Sequence, residues 1–394
     1  MLRNVIITGA GAVLPWGAVG TKKITDYLIK DKIFVNDRFL SIGSYLYNLL
    51  MQNAYYKTTQ PNFETLLNFV ETIYQSKLPK LSNDLSNFDF TDYFILNDKI
   101  TKTLSSFELY NPNIKKDINS SGLLDTSFGK NRPILNERYY YELYLHYIFK
   151  IIEKIKLYDN IKNINQAKYK QINSHFCKFL QKLKENGIVR YYTVNYDYLP
   201  TKISPFKFFD GYNSNGKLDT YKIVNSLDID CYFHLHGSHE LNFIGEKSNN
   251  YRGTKCAFDF RRNELIFSNI ITGYNKLDRI QSESFRHFNN QLLFDCNKAD
   301  TLYIVGYSFG DTHINNAINV AMQKKTKIIV IDYFENADED SIDLFKQKYY
   351  RIQPLPEYDI ADMERNKFIF KKNRVEIYFK GFESYLSNKF ASPV

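Results

Sequence analysis

The chain has 394 residues, a formal net charge of +9, 44% hydrophobic and 24% charged residues. That length suits one large domain or two ordinary ones with a sizeable core, and the composition is that of a soluble globular protein. No stretch approaches the ~18–20 uninterrupted apolar residues of a membrane span.

Four cysteines, Cys177, Cys231, Cys256 and Cys296, are scattered without any C-x-x-C pair. This argues against a zinc ribbon or a thioredoxin-type site and for free, mostly buried thiols in a reducing cytoplasm. Lysine supplies most of the positive charge and is dispersed among Asn, Ile and Tyr, a solvated surface rather than a nucleic-acid groove. The 32 Tyr and 31 Phe are equally spread and read as core and half-exposed surface.

Residues 4–8 read as a buried strand, followed by a turn at Gly9-Ala10-Gly11, a second at Pro15-Trp16-Gly17, and a helix from Thr21. A strand running into glycines and then a helix opens many nucleotide-binding sheets. Glycine lets the backbone approach a pyrophosphate, and turn N–H groups can face its charge. The full G-x-G-x-x-G is absent, because Val13 and Leu14 follow, so a plain strand-to-helix turn also fits. A secretory leader fits poorly: glycines break the apolar run after Arg3, and Pro15-Trp16 suits a cleavage region badly.

Ile24, Tyr27 and Leu28 lie at helical spacing over 21–30, whereas 33–60 carries no clear pattern. Residues 62–78 form an amphipathic helix with Phe63, Leu66, Leu67, Val70, Ile73 and Tyr74 on one face. Loops with short helices are expected over 80–133, a long apolar helix over 134–157, and another over 164–186 with Gly187 as its stop. The block 33–186 is therefore expected as a mainly helical insertion, with 1–32 and 187–394 forming an α/β domain. Strands are expected at 188–194, 230–235, 265–267, 302–306, 327–332 and 375–379, with helices at 282–297 and 313–323 and a short one at the end. No internal repeat or Gly/Ser-rich linker interrupts this. The alternation predicts a Rossmann-like, doubly wound parallel sheet.

Polar residues gather at the C-terminal ends of these strands, the edge where open α/β sheets bind ligands. They are Gly9-Ala10-Gly11, Thr193-Val194-Asn195-Tyr196-Asp197, His234-Leu235-His236-Gly237-Ser238 and Gly306-Tyr307-Ser308. Each has a plain alternative: Asn195 and Asp197 as turn residues, His236 as a structural histidine, Ser308 and Asp311 as caps of the following helix. Their shared position on strand ends favours one crevice. No paired-carboxylate motif suggests a metal-dependent nuclease.

In this order, the Gly9-Ala10-Gly11, Thr193–Asp197, His236-Gly237-Ser238 and Gly306-Tyr307-Ser308-Phe309 elements resemble the sirtuin pattern over residues 1–31 and about 187–333. The likeness is greatest to bacterial sirtuin-like NAD hydrolases that act as antiviral, abortive-infection effectors. The resemblance implies that Gly9, Ala10 and Gly11 contact the NAD pyrophosphate, that Gly306 and Ser308 contact the adenosine-side ribose, and that Thr193 lies on the cofactor side. It also implies that Asn195 stands beside the nicotinamide ribose, that Asp197 holds this loop and the nicotinamide end, and that His236 lies near the ribose hydroxyls. Asn195, His236 and Asp197 would then form the catalytic set.

The implied reaction is hydrolysis of the nicotinamide–ribose bond of NAD to ADP-ribose and nicotinamide. It needs a fixed ribose, a positioned water and a base, and no general acid for a pyridinium leaving group. Sirtuin deacylases carry two C-x-x-C pairs for zinc; this chain has none, so no zinc or other metal is expected. Val194 replaces their glutamine, and Pro15-Trp16-Gly17 replaces their proline-aspartate-phenylalanine-arginine segment. These departures favour hydrolysis over the alternatives, an NAD-dependent protein deacylase or a non-catalytic NAD or ADP-ribose sensor. They also single out the 12–17 segment as the mark of divergence. By family analogy the activity would be triggered through homo-oligomerisation or a partner such as a HerA-type hexameric ATPase.

Overall fold

The computed structural model of the protein describes residues 2–52, 60–77, 103–110, 122–127, 129–225, 228–239, 270–271, 280, 283–334, 339–349, 360–362, 367–370 and 374–390. The chain divides into two compact units, one of residues 1–20, 155–271 and 276–394, the other of 21–154 and 272–275.

The first unit is built on an eight-stranded sheet. Its strands are β1 (Leu2–Thr8), β2 (Gly187–Thr193), β3 (Cys231–His234), β4 (Thr301–Val305), β5 (Lys327–Ile331), β6 (Ile360–Asp362), β7 (Lys367–Phe370) and β8 (Val375–Tyr378). Across the sheet they lie in the order 3-2-1-4-5-8-7-6. Neighbours from β3 to β8 are parallel, and β8, β7 and β6 are antiparallel to one another. The run 3-2-1-4-5-8 is the strand order of a doubly wound, Rossmann-like sheet, with β8 in sixth place. The direction of winding reverses between β1 and β4, and such a switch point opens a crevice beyond the carboxyl ends of the strands.

The longer helices are α1 (Thr21–Ile29), α2 (Ile42–Met51), α3 (Phe63–Lys77), α4 (Glu137–Tyr158), α5 (Lys170–Asn186), α6 (Glu283–Lys298), α7 (Thr312–Met322), α8 (Glu339–Tyr349) and α9 (Gly381–Phe390). Both faces of the sheet are covered, so its strands read as continuous apolar runs. Val5, Ile7, Leu302, Ile304, Ile328 and Val330 share a core with Phe288 and Leu292 of α6, Ile314 and Ile318 of α7 and Phe345 of α8. On the opposite face Tyr303 of β4 meets Phe179 of α5 edge-on at 5.4 Å. Asn4 Nδ2 donates to the Leu183 carbonyl at 3.0 Å, and Phe179 continues onto Phe382 of α9 at 6.0 Å. Each such aromatic contributes about 1.5–3 kcal/mol by burial.

The sequence reading grouped α5 with the helical block 33–186. In the structure α5 lies in the first unit, because its stripe of Ile172, Phe176, Phe179, Leu180 and Leu183 is buried there. The expected strand at 265–267 and Cys256 lie outside the described residues. Cys177, Cys231 and Cys296 are free thiols. Among the described residues no helix is long and apolar enough to cross a membrane. In the second unit, Ser41 caps α2 by accepting from Ser44 N–H at 3.1 Å, and His146 is joined to Asp31.

The most demanding electrostatic feature is Asp295 of α6, which is fully buried. Arg190 of β2, 1% exposed, donates Nε–H to its Oδ2 at 2.6 Å; Arg3 of β1 and the Tyr192 hydroxyl complete the cluster. A second Arg190 donor reaches the Ile229 carbonyl at 2.8 Å. Removing the acid would strand two cations inside the protein. Asp295→Ala is therefore expected to lower unfolding free energy by about 3–5 kcal/mol, measured as a drop in the urea midpoint. A midpoint within error of wild type would refute this.

Candidate active site

The β1 and β4 turns pack backbone to backbone at the switch point. Gly9 N–H donates to the Val305 carbonyl and Gly11 N–H to the Gly306 carbonyl, both at 3.0 Å. A Cβ on Gly9 would lie 2.6 Å from Gly306 O, one on Gly11 2.7 Å from Gly306 Cα, and one on Gly306 2.3 Å from Ala12 N. Gly306 also has φ +57°, in the left-handed region. The glycines are thus required first by each other. The N–H groups of Gly9, Gly11 and Ala12 are used on protein carbonyls. Ala10 and Ser308, both exposed, are what these two turns present outward.

The 12–17 segment has a packing role. Trp16 is 1% exposed, its Nε1–H donates to Asn173 Oδ1 at 2.7 Å, and its ring meets Phe176 edge-on at 5.6 Å. It anchors the glycine turn to α5.

Thr8, Thr193 and His234 are level across β1, β2 and β3, so the loops that follow leave the sheet together. Asn195 N–H donates to Thr193 Oγ1 at 3.0 Å, and Asn195 Nδ2 donates to the Gly9 carbonyl at 2.9 Å. The Asn195 amide therefore ties the β2 loop to the β1 turn. Asp197 is fully buried. The Tyr158 hydroxyl donates to its Oδ2 at 3.0 Å, and Leu199 N–H to its Oδ1 at 3.1 Å. Its backbone carbonyl accepts from the Tyr232 hydroxyl at 3.0 Å and from His234 Nε2 at 2.8 Å. Asp197 is a positioning residue by geometry. Nearby Asp159 accepts from Tyr198 N–H at 2.9 Å, meets His239 Nε2 at 2.5 Å and Lys202 Nζ at 2.9 Å. Sequence reasoning missed Tyr158, Asp159 and His239, which come from a distant helix end and the far side of the His-Gly turn.

His236 sits on the β3 loop, where Gly237 turns with φ +84° and the His236 carbonyl accepts from Ile271 N–H at 2.8 Å. Ser238 is buried and donates to the Tyr198 hydroxyl at 3.1 Å. His236 Nε2 lies 3.3 Å from His313 Nε2 and 4.0 Å from Asp311 Oδ1. Asp311 occupies the N-cap position of α7 but makes no side-chain cap hydrogen bond. The plain alternative, a side-chain cap from Asp311, is thus not realised: its carboxylate stands near His236. His313 was not singled out from sequence, although Asp311-x-His313 follows the Gly306-Tyr307-Ser308 turn directly. Gly9, Ala10, Gly11, Thr193, Asn195, His236, Gly306 and Ser308 therefore all lie on or beside one edge of the sheet.

Burial, with Asp159 nearby, pushes the Asp197 carboxyl up from 3.8 to about 7. Burial pushes His234 down from 6.5 to about 4, so it is neutral at neutral pH. Below its unfolded value Asp197 contributes its full stability, and that contribution is lost as pH rises through about 7. His234 acts oppositely, contributing fully above 6.5 and losing it as pH falls through about 4.

The turns described so far leave β1 to β4 in sequence order, and three of the four follow strands that begin at residue 187 or later. Residues 189–355 match the family of the SIR2-like domain. The match takes in Thr193, Asn195, Asp197, His236, Gly306 and Ser308 and supports a sirtuin-like family, whose domains use NAD as substrate. The β1 turn precedes it. No curated protein matches the chain.

Gly306→Ala is expected to lower the thermal midpoint, since its Cβ meets backbone and not a movable side chain. A midpoint unchanged in calorimetry would contradict the packing argument. Asp197→Asn is expected to flatten the decline of the thermal midpoint between about pH 4 and 7, where the unfolded chain has lost a proton that the folded carboxyl keeps; a decline as steep as that of wild type would refute the assignment.

Proposed function

We propose that the protein hydrolyses the nicotinamide–ribose bond of NAD, releasing nicotinamide and ADP-ribose. The observation that carries this reading is the convergence of Asn195, held at the Gly9 carbonyl, and His236, on the loop after the neighbouring strand, beside the switch-point turns of the sheet in a chain whose residues 189–355 match a SIR2-like domain. In this reading the diphosphate lies over Ala10 and Ser308, and Thr193 supports the cofactor side through its bond to the Asn195 backbone. Asn195 orients the nicotinamide ribose and the attacking water. Asp197 keeps that loop in place from within.

The chemistry balances without a general acid. The C1′–N bond breaks as its electron pair returns to the pyridinium nitrogen, giving neutral nicotinamide. Water oxygen bonds to C1′, and His236 takes the water's proton. Preorganisation of ribose, water and base supplies the rate enhancement. The 21–154 unit is read as a helical insertion into the NAD-binding domain. Unrestrained NAD loss would harm the producing cell, so the activity calls for a trigger. Self-assembly or a partner such as a HerA-type ATPase fits that need, with antiviral NAD depletion as the cellular role.

Purified protein with NAD, alone and after activation in infected cells, is expected to release nicotinamide on chromatography. Asn195→Ala and His236→Ala should each lower the rate by about 10²–10⁴-fold, with circular dichroism showing that both variants remain folded. Binding of NAD without turnover under every condition would make the protein a sensor. Release that requires an acyl-lysine peptide would make it a deacylase.

A further inference from the structure

We propose that His236, Asp311 and His313 form a binding site for one divalent transition-metal ion of the zinc class, and that the filled site withdraws His236 from hydrolysis. The second half rests on the reading of His236 as the base; the first does not.

Three ligand-type atoms, two imidazole nitrogens and a carboxylate oxygen, lie within 4.8 Å of one another. The two Nε2 atoms stand 3.3 Å apart. At that distance the two rings share one hydrogen bond between a protonated and an unprotonated nitrogen. The same distance matches the spacing of about 3.3–3.4 Å for two nitrogens at ~2.0–2.1 Å from one tetrahedral zinc. Asp311 Oδ1, at 4.0 Å from His236 Nε2, reaches the same spacing by moving roughly 0.6 Å, within a carboxylate rotation. A set of two imidazoles and one carboxylate selects zinc-class ions over magnesium or calcium, which take oxygen ligands. Three protein ligands leave a fourth position for water.

The ligands are held from behind. Asp311 N–H donates to the Tyr307 hydroxyl at 3.0 Å, and that hydroxyl lies 3.2 Å from both the Asp311 carbonyl and Asn315 Oδ1. Asn315 Nδ2 in turn donates to the Phe309 carbonyl at 2.9 Å. Phe309 is buried with φ +58°, a strained conformation for a residue with a side chain. This brace directs the Asp311 carboxylate away from capping α7 and toward the β3 loop. The sequence reading expected no metal because it sought cysteine pairs, and this set contains none.

Coordination uses the Nε2 lone pair of His236 and leaves its proton on Nδ1, so a metal-bound His236 cannot accept a proton from water. The full chain, stripped with chelator, is titrated with Co²⁺ and followed by visible d–d absorption. One equivalent per chain is expected, with binding abolished in His313→Ala and weakened at least tenfold in Asp311→Asn; circular dichroism confirms that both variants are folded. Absence of the cobalt band, or an unchanged band in His313→Ala, overturns the site. In parallel, Zn²⁺ is expected to lower wild-type nicotinamide release more than tenfold, reversibly with chelator, while His313→Ala turns over NAD whether or not zinc is present. Metal binding without inhibition overturns the withdrawal of His236. A metal-free wild type with no turnover counts against the hydrolase reading and leaves the cobalt result to judge the site.

Discussion

The candidate site depends on two turns touching through their backbones. Gly9 and Gly11 after β1 and Gly306 after β4 meet at distances that leave no room for a Cβ. The contact falls at the switch point of the sheet, where connections diverge and a crevice opens. Because Thr8, Thr193, His234 and Val305 are in register across four parallel strands, every loop that leaves this edge starts at the same level. Asn195 then joins the second loop to the first, and His236 joins the third to the fourth. One close approach and one register bring together residues from opposite ends of the chain.

Two buried acids show how differently charge is handled beneath that edge. Asp295 faces two arginines and a tyrosine, so its charge is matched inside the protein. Asp197 has a hydroxyl and an N–H as direct partners, and burial raises its pKa to about 7. Burial pushes His234 the other way and keeps it neutral at neutral pH. At the same edge of the sheet the buried His236 stands beside the half-buried Asp311 and His313.

Much of this was legible in the sequence for a simple reason. Strand ends and polar punctuation are local, and in a parallel sheet local strand ends become neighbours. Glycine was read as a marker of close approach, and in the structure Gly9 and Gly11 closely approach Gly306. Trp16 stood out as a departure from the sirtuin pattern; its neighbours Asn173 and Phe176 lie on a helix far along the chain, and only their proximity gives it a packing role. Helix α5 was grouped with the other helices because periodicity shows that a helix has an apolar face and not what the face covers.

The sequence by itself determined the alternation of strands and helices, the mostly parallel sheet, and the polar residues at the ends of its strands. These follow from hydrophobic period and turn chemistry, which act over a few residues. Only the tertiary structure decided that Asp197 is a buried brace supported by Tyr158, that Asp311 turns from its helix toward His236, and that His313 stands beside them. Those outcomes depend on side-chain distances between elements far apart in the chain, set by strand register and by the strained turn at Phe309.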